Sequence, residues 1–259
     1  MKLSVIIPVL NEAELIRGLV VHLRVRLPQA ELLFVDGGSD DGTGNELEKL
    51  AEEYPIRLLH GRRGRAPQMN IGALASTGEI LLFLHADSRL PHDCEQAMAE
   101  LFARPNFLGG CFRLRFPRRE WIYRISDSLG NFAVDLFQIA LGDHGIFCRQ
   151  EVFFAIGGFP EVPLLEDAEF YRALQRHGRV RQLRAEIETS PRRYEEHGRY
   201  RTTFFYLSVL LLYLAGMKKE RLARWHARFT RQPPMPRASR STREIAQPVD
   251  PPAQLQPTP

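Results

Sequence analysis

Charged and polar residues that could bind a nucleotide recur directly after the apolar runs of the first ninety residues. The groups are Asn11 and Glu12, Asp36 within "FVDGGSDDG" (34–42), Arg65 within "HGRRGR" (60–65), and His85 and Asp87 within "FLHADS" (83–88). Carboxylates bind divalent cations and hydroxyl groups, arginines bind phosphate, and glycines let a ligand approach the backbone. This combination suits a nucleotide accompanied by a divalent metal ion.

The elements that must position these residues are short apolar runs separated by helical patterns. The runs cover 3–9, 31–36, 56–60 and 79–85, and leucines and other apolar residues recur at helical spacing between them. This order predicts an α/β fold, a Rossmann-like and mainly parallel sheet flanked by helices. Because ligands bind at the carboxyl ends of such strands, all four loops are expected to converge on one edge. Each loop alone is equally well explained as a simple turn.

Beyond residue 90 the alternation of apolar runs and helical patterns is less regular. A strand at 109–116, a helix at 121–141, a short run at 145–148 and helices at 149–156 and 167–177 follow. The segment 202–216 is strongly apolar but has about 15 residues, fewer than the ~20 that a spanning helix needs. Two interpretations stay open: a membrane-surface helix that serves a lipid-linked acceptor, or a core or homodimer helix. A proline-rich stretch from 232 to 259 is expected to be a disordered tail.

Composition excludes several classes of protein. Three cysteines without a CxxC pair argue against a disulfide framework or structural zinc, and no leader precedes the first run. We therefore expect a cytoplasmic location, with the inner face of the membrane as the alternative. The net charge of +4 is concentrated in a basic C-terminal third, for which we do not expect nucleic acid as a partner. The glycine-rich phosphate turns of dinucleotide oxidoreductases and P-loop proteins are missing.

Four ordered landmarks resemble the family 2 glycosyltransferases, which have the GT-A fold. They are "SVIIPVLNEAELI", "FVDGGSDDGT", "NIGALASTGEILLFLHADSRLP" and "GGF" followed by "LLEDAEFYRALQRHG". The resemblance covers roughly residues 1 to 190. His-Ala-Asp in place of Asp-x-Asp, with "RAPQMN" upstream, further resembles a bacterial subgroup of which some members are linked to arsenosugar biosynthesis.

The resemblance implies a role for each matching residue. Asp87 would ligate Mg²⁺ or Mn²⁺ at the donor diphosphate, and Asp167, paired with Glu166, would be the general base. The residues implied to bind the nucleotide sugar are Pro8, Asn11, Glu12, Asp36, Arg65, Gln68, Asn70, His85 and Asp87. Outside the matched motifs, Arg192 and Arg193 are candidates for phosphate. Asp143 and His144 are candidates for the acceptor, with a core or loop histidine as the alternative.

Two departures from the family pattern affect these expectations. Gly37 replaces the second aspartate of the turn after the second strand, so one nucleotide contact is missing. His85 replaces the first aspartate of Asp-x-Asp. Its side chain is either a ligand contact, in which case imidazole favours Mn²⁺, or a polar strand end bonded to the backbone.

The sequence therefore predicts a metal-dependent, inverting glycosyltransferase that uses a nucleotide-sugar donor and an unidentified acceptor. The expected organisation is a catalytic domain at 1–200, a helical extension at 201–231 and the tail at 232–259. Two alternatives are a catalytically degenerate domain that binds nucleotide sugar or a membrane partner, and a nucleotidyltransferase.

Overall fold

The computed structural model describes residues 1–230, which form one eight-stranded sheet with helices on both faces. The strands are β1 (Leu3–Val9), β2 (Glu31–Asp36), β3 (Ile56–His60), β4 (Ile80–Phe83), β5 (Ser88–Arg89), β6 (Phe107–Arg115), β7 (Ile146–Arg149) and β8 (Arg179–Thr189). The helices are α1 (Ala13–Arg26), α2 (Thr43–Glu53), α3 (Arg65–Ala75), α4 (Cys94–Phe102), α5 (Trp121–Phe137), α6 (Gln150–Ala155), α7 (Glu166–His177), α8 (Arg192–His197), α9 (Arg199–Leu214) and α10 (Lys219–Thr230). The strand order is β3-β2-β1-β4-β7-β6-β8-β5.

Strands β1 to β4 are parallel to one another, as the β-α-β-α pattern predicts. Side chains alternate between the two faces: Val5 and Ile7 of β1 belong to the core beneath α1 and α2, and Ile6 to the core beneath α3. Burial on both faces explains why β1 is a continuous apolar run rather than an alternating one. Because β2, β1 and β4 are adjacent and parallel, their carboxyl ends lie side by side.

The second half of the sheet is mixed. Strand β7 runs antiparallel to both β4 and β6, whereas β8 is parallel to β6. No strand was predicted at 179–189, yet β8 has 11 residues and is the longest strand described. Exposed and less exposed positions alternate along much of β8, and the exposed ones are arginines and a glutamate. Because such a sequence has no apolar run, it is hard to recognise as a strand.

Two predicted elements end earlier than expected. Strand β4 ends at Phe83 rather than residue 85, and the chain turns at once, with the N–H of Ser88 bonded to the carbonyl of His85 at 3.1 Å. Helix α5 ends at Phe137 rather than 141, because Gln138 adopts a left-handed φ of 56°. Residues 138–141 are therefore not helical, and they lead into a 3₁₀ turn, Gly142–His144, that enters the candidate site.

The C-terminal helices pack on the sheet domain. Helix α9 buries Thr202, Thr203, Phe205, Val209 and Tyr213 and leaves Tyr200, Phe204 and Leu211 exposed. Within residues 1–230, no helix combines the length and the apolar character needed to span a bilayer. Cys94, Cys111 and Cys148 are buried and free. The predicted tail at 232–259 lies outside the described residues.

Candidate active site

The loops that follow β1 and β2 interlock. The side-chain oxygen of Asn11 accepts a hydrogen bond from the N–H of Asp40 at 3.0 Å, and the N–H of Asn11 donates to Ser39 Oγ at 3.0 Å. Asp36 is 5% exposed and accepts a bond from the same Ser39 hydroxyl at 2.6 Å. Asn11 has a φ of 56°, a conformation that asparagine tolerates well. The structure therefore brings Asn11 and Asp36 together, beside Pro8 near the end of β1.

A bidentate ion pair joins the first loop to the C-terminal part of the chain. The carboxylate of Glu12 accepts hydrogen bonds from the guanidinium of Arg192 at 3.0 and 3.1 Å. The backbone N–H of Glu12 donates to Thr43 Oγ1 at 2.9 Å. Glu12 thus holds α8 against the end of β1, while its predicted contact with the nucleotide stays a prediction.

Gln68 explains the glycine at position 37 in the turn after β2. Its amide nitrogen donates to the carbonyl of Val9 at 2.8 Å and to that of Val35 at 2.6 Å, so it bridges the ends of β1 and β2. A Cβ atom on Gly37 would lie 3.0 Å from three atoms of this amide. The space that the family's aspartate would occupy is therefore filled by the buried Gln68 side chain.

This packing leads to a test of coupling between the two positions. We expect Gly37→Asp to lower the free energy of unfolding by about 1–3 kcal/mol, since the added side chain displaces a fixed, buried amide. In the Gln68→Ala background the same change should cost less than half as much. Urea denaturation of the two single variants and the double variant measures the coupling. Strictly additive effects would contradict this explanation of Gly37.

Asn70 holds the Gly-Gly-Phe turn that precedes α7. Its amide nitrogen donates to the carbonyl of Phe159 at 2.9 Å, and its oxygen accepts the N–H of Phe159 at 2.9 Å. The ring of Phe159 stacks on Phe170 of α7 with centroids 4.1 Å apart. The side chain of Asn70 therefore fixes the approach to Glu166 and Asp167, the first two residues of α7. Its predicted contact with the donor stays a prediction.

His85 and Asp167 converge on one glycine of the 3₁₀ turn. His85 Nδ1 lies 2.9 Å from Asp143 Oδ1, so its partner is a carboxylate and not the backbone. The N–H of Gly142 donates to Asp167 Oδ2 at 3.0 Å. A Cβ atom on Gly142 would lie 2.2 Å from His85 Nε2 and 2.7 Å from Asp167 Oδ2, which makes these two atoms close neighbours.

Both converging side chains keep one polar atom without a partner. His85 is 7% exposed and Asp167 is 5% exposed, and neither His85 Nε2 nor Asp167 Oδ1 forms a hydrogen bond in the part of the chain described. Buried polar atoms in native proteins are normally paired, and exceptions need an explanation. A bound ligand that contacts Nε2 and Oδ1 would supply the missing bonds.

The charges around this pair set its protonation states. Burial raises the pKa of Asp167 to about 7, and the charge of Glu166 adds to this rise. For Asp143 burial also opposes ionisation, but the hydrogen bond to His85 and the charges of Arg193 and Arg65 outweigh it and hold its pKa below the ordinary range. An ionised Asp143 accepts the Nδ1–H of His85 and leaves Nε2 directed away from it.

Two arginines and a C-terminal histidine complete the surroundings. Burial works against the charge of Arg193, but Tyr206, Asp143 and Asp87 outweigh it and raise the pKa. Burial lowers the pKa of His226 in α10 to about 4, and the charges of Arg193 and Arg65 lower it further. Arg193 and Arg65 therefore act electrostatically on both Asp143 and His226.

Comparisons with known proteins show the family of the chain. The model described as "Glycosyl transferase family 2" matches residues 4–155, more than half of the chain. The chain belongs to glycosyl transferase family 2. The predicted family and enzyme class are thereby confirmed. The match runs from the second residue of β1 to the end of α6 and includes His85, Asp87 and Asp143.

Curated relatives of this family 2 member are distant. It is 29% identical over 191 residues to the succinoglycan biosynthesis protein ExoA of Rhizobium meliloti, covering 67% of this chain and 58% of that protein. It is 27% identical over 146 residues to a prophage bactoprenol glucosyl transferase homolog of Escherichia coli, covering 51% of this chain and 48% of that protein. The chain thus spans roughly half the length of these two relatives.

Solved structures confirm the GT-A-like fold of the family 2 chain. A mannosyltransferase from Pyrobaculum calidifontis, in complex with GDP-Man and Mn²⁺, superposes with a TM-score of 0.62 at 20% identity over 88% of this chain and 69% of that one. S. aureus TarS 1-349 in complex with UDP-GlcNAc superposes with a TM-score of 0.55 at 17% identity over 89% of this chain and 72% of that one. At these identities the likeness concerns the fold.

The 3₁₀ turn contributes more to the site than the sequence predicts. Asp143 was predicted only as one of two candidates for contact with the acceptor, and Gly142 was not predicted as a site residue. His144, the other candidate, is a buried core histidine whose pKa burial lowers to about 4. The available signal was the pattern "GDHG", in which glycines on both sides of Asp143 and His144 indicate a tight turn.

Proposed function

We propose that this chain transfers a sugar from a nucleotide-sugar donor to an acceptor hydroxyl, with inversion at the anomeric carbon. The observation that carries the proposal is the convergence of His85 and Asp167 on Gly142, each with an unpaired polar atom. This pair lies just beyond the end of β4 and shares the electrostatic surroundings of Arg65. Family 2 membership supports the proposal that the donor binds at the same sheet edge.

Asp167 is the proposed general base. It accepts the proton of the acceptor hydroxyl on Oδ1 while the hydroxyl oxygen forms a bond to the anomeric carbon. The bond between that carbon and the diphosphate breaks on the opposite side, and the nucleoside diphosphate leaves with the electron pair. A single displacement of this kind inverts the configuration. The start of a helix favours an ionised carboxylate, which partly opposes the effect of burial on Asp167.

His85 Nε2 is proposed to hold the reacting sugar or hydroxyl next to the base. Asp143 fixes the orientation of the imidazole, much as a carboxylate orients the histidine of other catalytic pairs. Arg65 and Arg193 face the negative charge that grows on the leaving diphosphate. Asp36 and Asn11 are proposed to bind the base or ribose at the ends of β1 and β2.

The residues present fit a metal ion that arrives with the donor. Among residues 1–230 no three His, Cys, Asp or Glu side chains are grouped as a metal cage. Mg²⁺ and Mn²⁺ nevertheless bind through one or two carboxylates when substrate phosphates complete the coordination, and the half-buried Asp87 supplies such a carboxylate. When bound, the ion would neutralise charge on the leaving diphosphate.

Asp87→Ala is expected to remove the effect of metal on nucleotide binding. Affinity for UDP or GDP, measured by calorimetry with Mn²⁺, should fall at least about tenfold, to the value that the wild type shows in EDTA. Asp135→Ala, a substitution at an aspartate with 55% of its side chain exposed on α5, serves as the control and should bind like the wild type. An affinity that Mn²⁺ does not change in the wild type would contradict the assignment of Asp87.

A donor screen tests the function itself. The panel begins with GDP-mannose and UDP-GlcNAc, the donors found in the two solved relatives, and release of nucleoside diphosphate is measured with Mn²⁺. We expect release from at least one donor. Binding of UDP or GDP without turnover of any donor would instead favour a catalytically degenerate domain, the alternative suggested by Gly37 and His85. A lipid-linked acceptor and a homodimer are further proposals, which this screen does not test.

A further inference from the structure

Helix α5 turns an apolar face towards solvent. Trp121, Phe132 and Leu136 are 59%, 54% and 58% exposed, and their spacing of 11 and 4 residues places them on one side of the helix. The opposite side of α5 is buried: Asn131 bonds the backbone of Leu114 in β6 at 2.8 and 3.0 Å. The exposed apolar side chains therefore do not contribute to the core of this domain.

Helix α9 extends the same surface. Tyr200, Phe204 and Leu211 are exposed at spacings of 4 and 7 residues, which again share one side of a helix. The two helices run alongside each other in the same direction, since the rings of Trp121 and Tyr200 lie 5.6 Å apart and Ser126 Oγ lies 3.0 Å from Thr203 Oγ1. We call the six exposed side chains, three from α5 and three from α9, the α5–α9 face.

The charge around the α5–α9 face selects its partner. Residues 199–230, which include α9 and α10, contain seven lysines and arginines and one glutamate. The exposed charges at α5 are mixed: Arg119 and Arg124 are accompanied by Asp135 and by Glu120, which pairs with Arg199. The basic charge therefore comes from the α9 side of the face. Two copies of such a surface would repel each other, whereas an anionic lipid surface attracts it. Aromatic side chains with basic neighbours are typical of helices that lie in a membrane interface.

We propose that the α5–α9 face docks on an anionic membrane surface, with both helices parallel to the bilayer plane. The proposal differs from the sequence-based one, in which helix 202–216 acts alone: half of the surface belongs to α5, and part of α9 is core. The inner side of α5 approaches the 3₁₀ turn that also carries Gly142 and Asp143, because a Cβ on Gly130 would lie 3.7 Å from the ring of His144. If the proposed function is correct, docking would thus bring this side of the site close to the lipid.

Vesicle sedimentation of the full chain tests this proposal independently of any transfer activity. The probe is extruded vesicles of phosphatidylcholine and phosphatidylglycerol in equal parts, with pure phosphatidylcholine as the comparison. The double variant Phe132→Ser, Phe204→Ser removes one apolar anchor from each helix. The matched control is Val25→Ser, Leu74→Ser. It removes one apolar side chain each from α1 and α3, and these side chains, at 71% and 73%, are at least as exposed as Phe132 and Phe204.

We expect the wild type to bind the anionic vesicles, to bind pure phosphatidylcholine much less, and to lose binding in high salt. The partition coefficient of the Phe132/Phe204 variant should fall at least about tenfold, and that of the control should stay at the wild-type value. Unchanged melting temperatures would show that both variants are folded. Equal binding by the two variants, or no binding by the wild type, overturns the proposal. If light scattering showed that the wild type and the control variant are dimers and the Phe132/Phe204 variant is a monomer, the proposal would be overturned in favour of a second copy.

Discussion

Asp167→Asn is expected to reduce donor turnover by a factor of about 10²–10⁴, the usual contribution of a general base, while the affinity for UDP or GDP stays within about twofold of the wild type. The amide has the size of the carboxyl group and can still accept the N–H of Gly142, so the 3₁₀ turn should keep its position. The variant lacks only the ability to take a proton. Loss of kcat without loss of nucleotide affinity is therefore the expected signature.

The same substitution should stabilise the fold at alkaline pH. Burial raises the pKa of Asp167 from 3.8 to about 7, so the folded state keeps the proton that the unfolded state releases, and the wild type loses stability progressively as the pH rises from about 4 to about 7. An asparagine does not ionise. We expect the gain of the variant in the free energy of unfolding to grow from about 1–2 kcal/mol at pH 5 to about 4 kcal/mol at pH 8. Wild-type turnover should rise over the same range, because the base must be ionised.

Denaturation at the two pH values and donor turnover at pH 8 check these expectations together. Glu100→Gln, a carboxyl-to-amide change at an exposed residue of α4 that bonds only to Gln96 among the described residues, is the control and should change neither quantity. A fully active Asp167→Asn would disprove the base assignment. A variant less stable than the wild type at pH 8 would show that the buried carboxylate has a compensating partner that the structure does not contain.

Gly142→Ala is expected to have the second large effect. The added methyl group would lie 2.2 Å from His85 Nε2 and 2.7 Å from Asp167 Oδ2, distances that require one or both side chains to move. Because a displacement of about 1 Å can cost 10²-fold in rate, turnover should fall by about that factor or more. Overpacking should also lower the free energy of unfolding by about 1–3 kcal/mol. Turnover assays and urea denaturation measure the two effects.

Gly18→Ala separates the loss of this particular space from the loss of a glycine as such. Gly18 lies in α1, and a Cβ there would meet its nearest neighbour, an atom of Arg89, at an ordinary 3.7 Å. Alanine stabilises helices relative to glycine, so this variant should be fully active and as stable as the wild type or more so. If Gly142→Ala behaved in the same way, His85 and Asp167 would not meet as the structure places them.

The parallel half of the fold could be predicted from the sequence because local patterns determine it. Strand β1 is buried on both faces, so its residues form an apolar run that is recognisable without tertiary information. The loop that carries Asp36 and the residues around Asp87 follow such strands directly. Their placement at one sheet edge then follows from the general geometry of parallel sheets.

The contacts between distant segments could not be predicted in this way. His85 and Asp143 are 58 residues apart, and their pairing depends on where α5 ends, which a single left-handed residue decides. Gln68 and Asn70 were expected to contact the donor because of the motif that contains them. In the structure their amides bond to backbone groups of β1, β2 and the turn before α7, and a motif gives no sign of such partners.

The most direct test of the proposed mechanism is the stereochemistry of donor cleavage. With the donor that the screen identifies and water as the acceptor, proton NMR within the first minutes shows which anomer of the sugar is released. Direct attack assisted by Asp167 predicts that an α-linked donor first yields the β-anomer, and that Asp167→Asn yields neither at a comparable rate. Release of the α-anomer, or cleavage that continues undiminished in Asp167→Asn, would contradict the account.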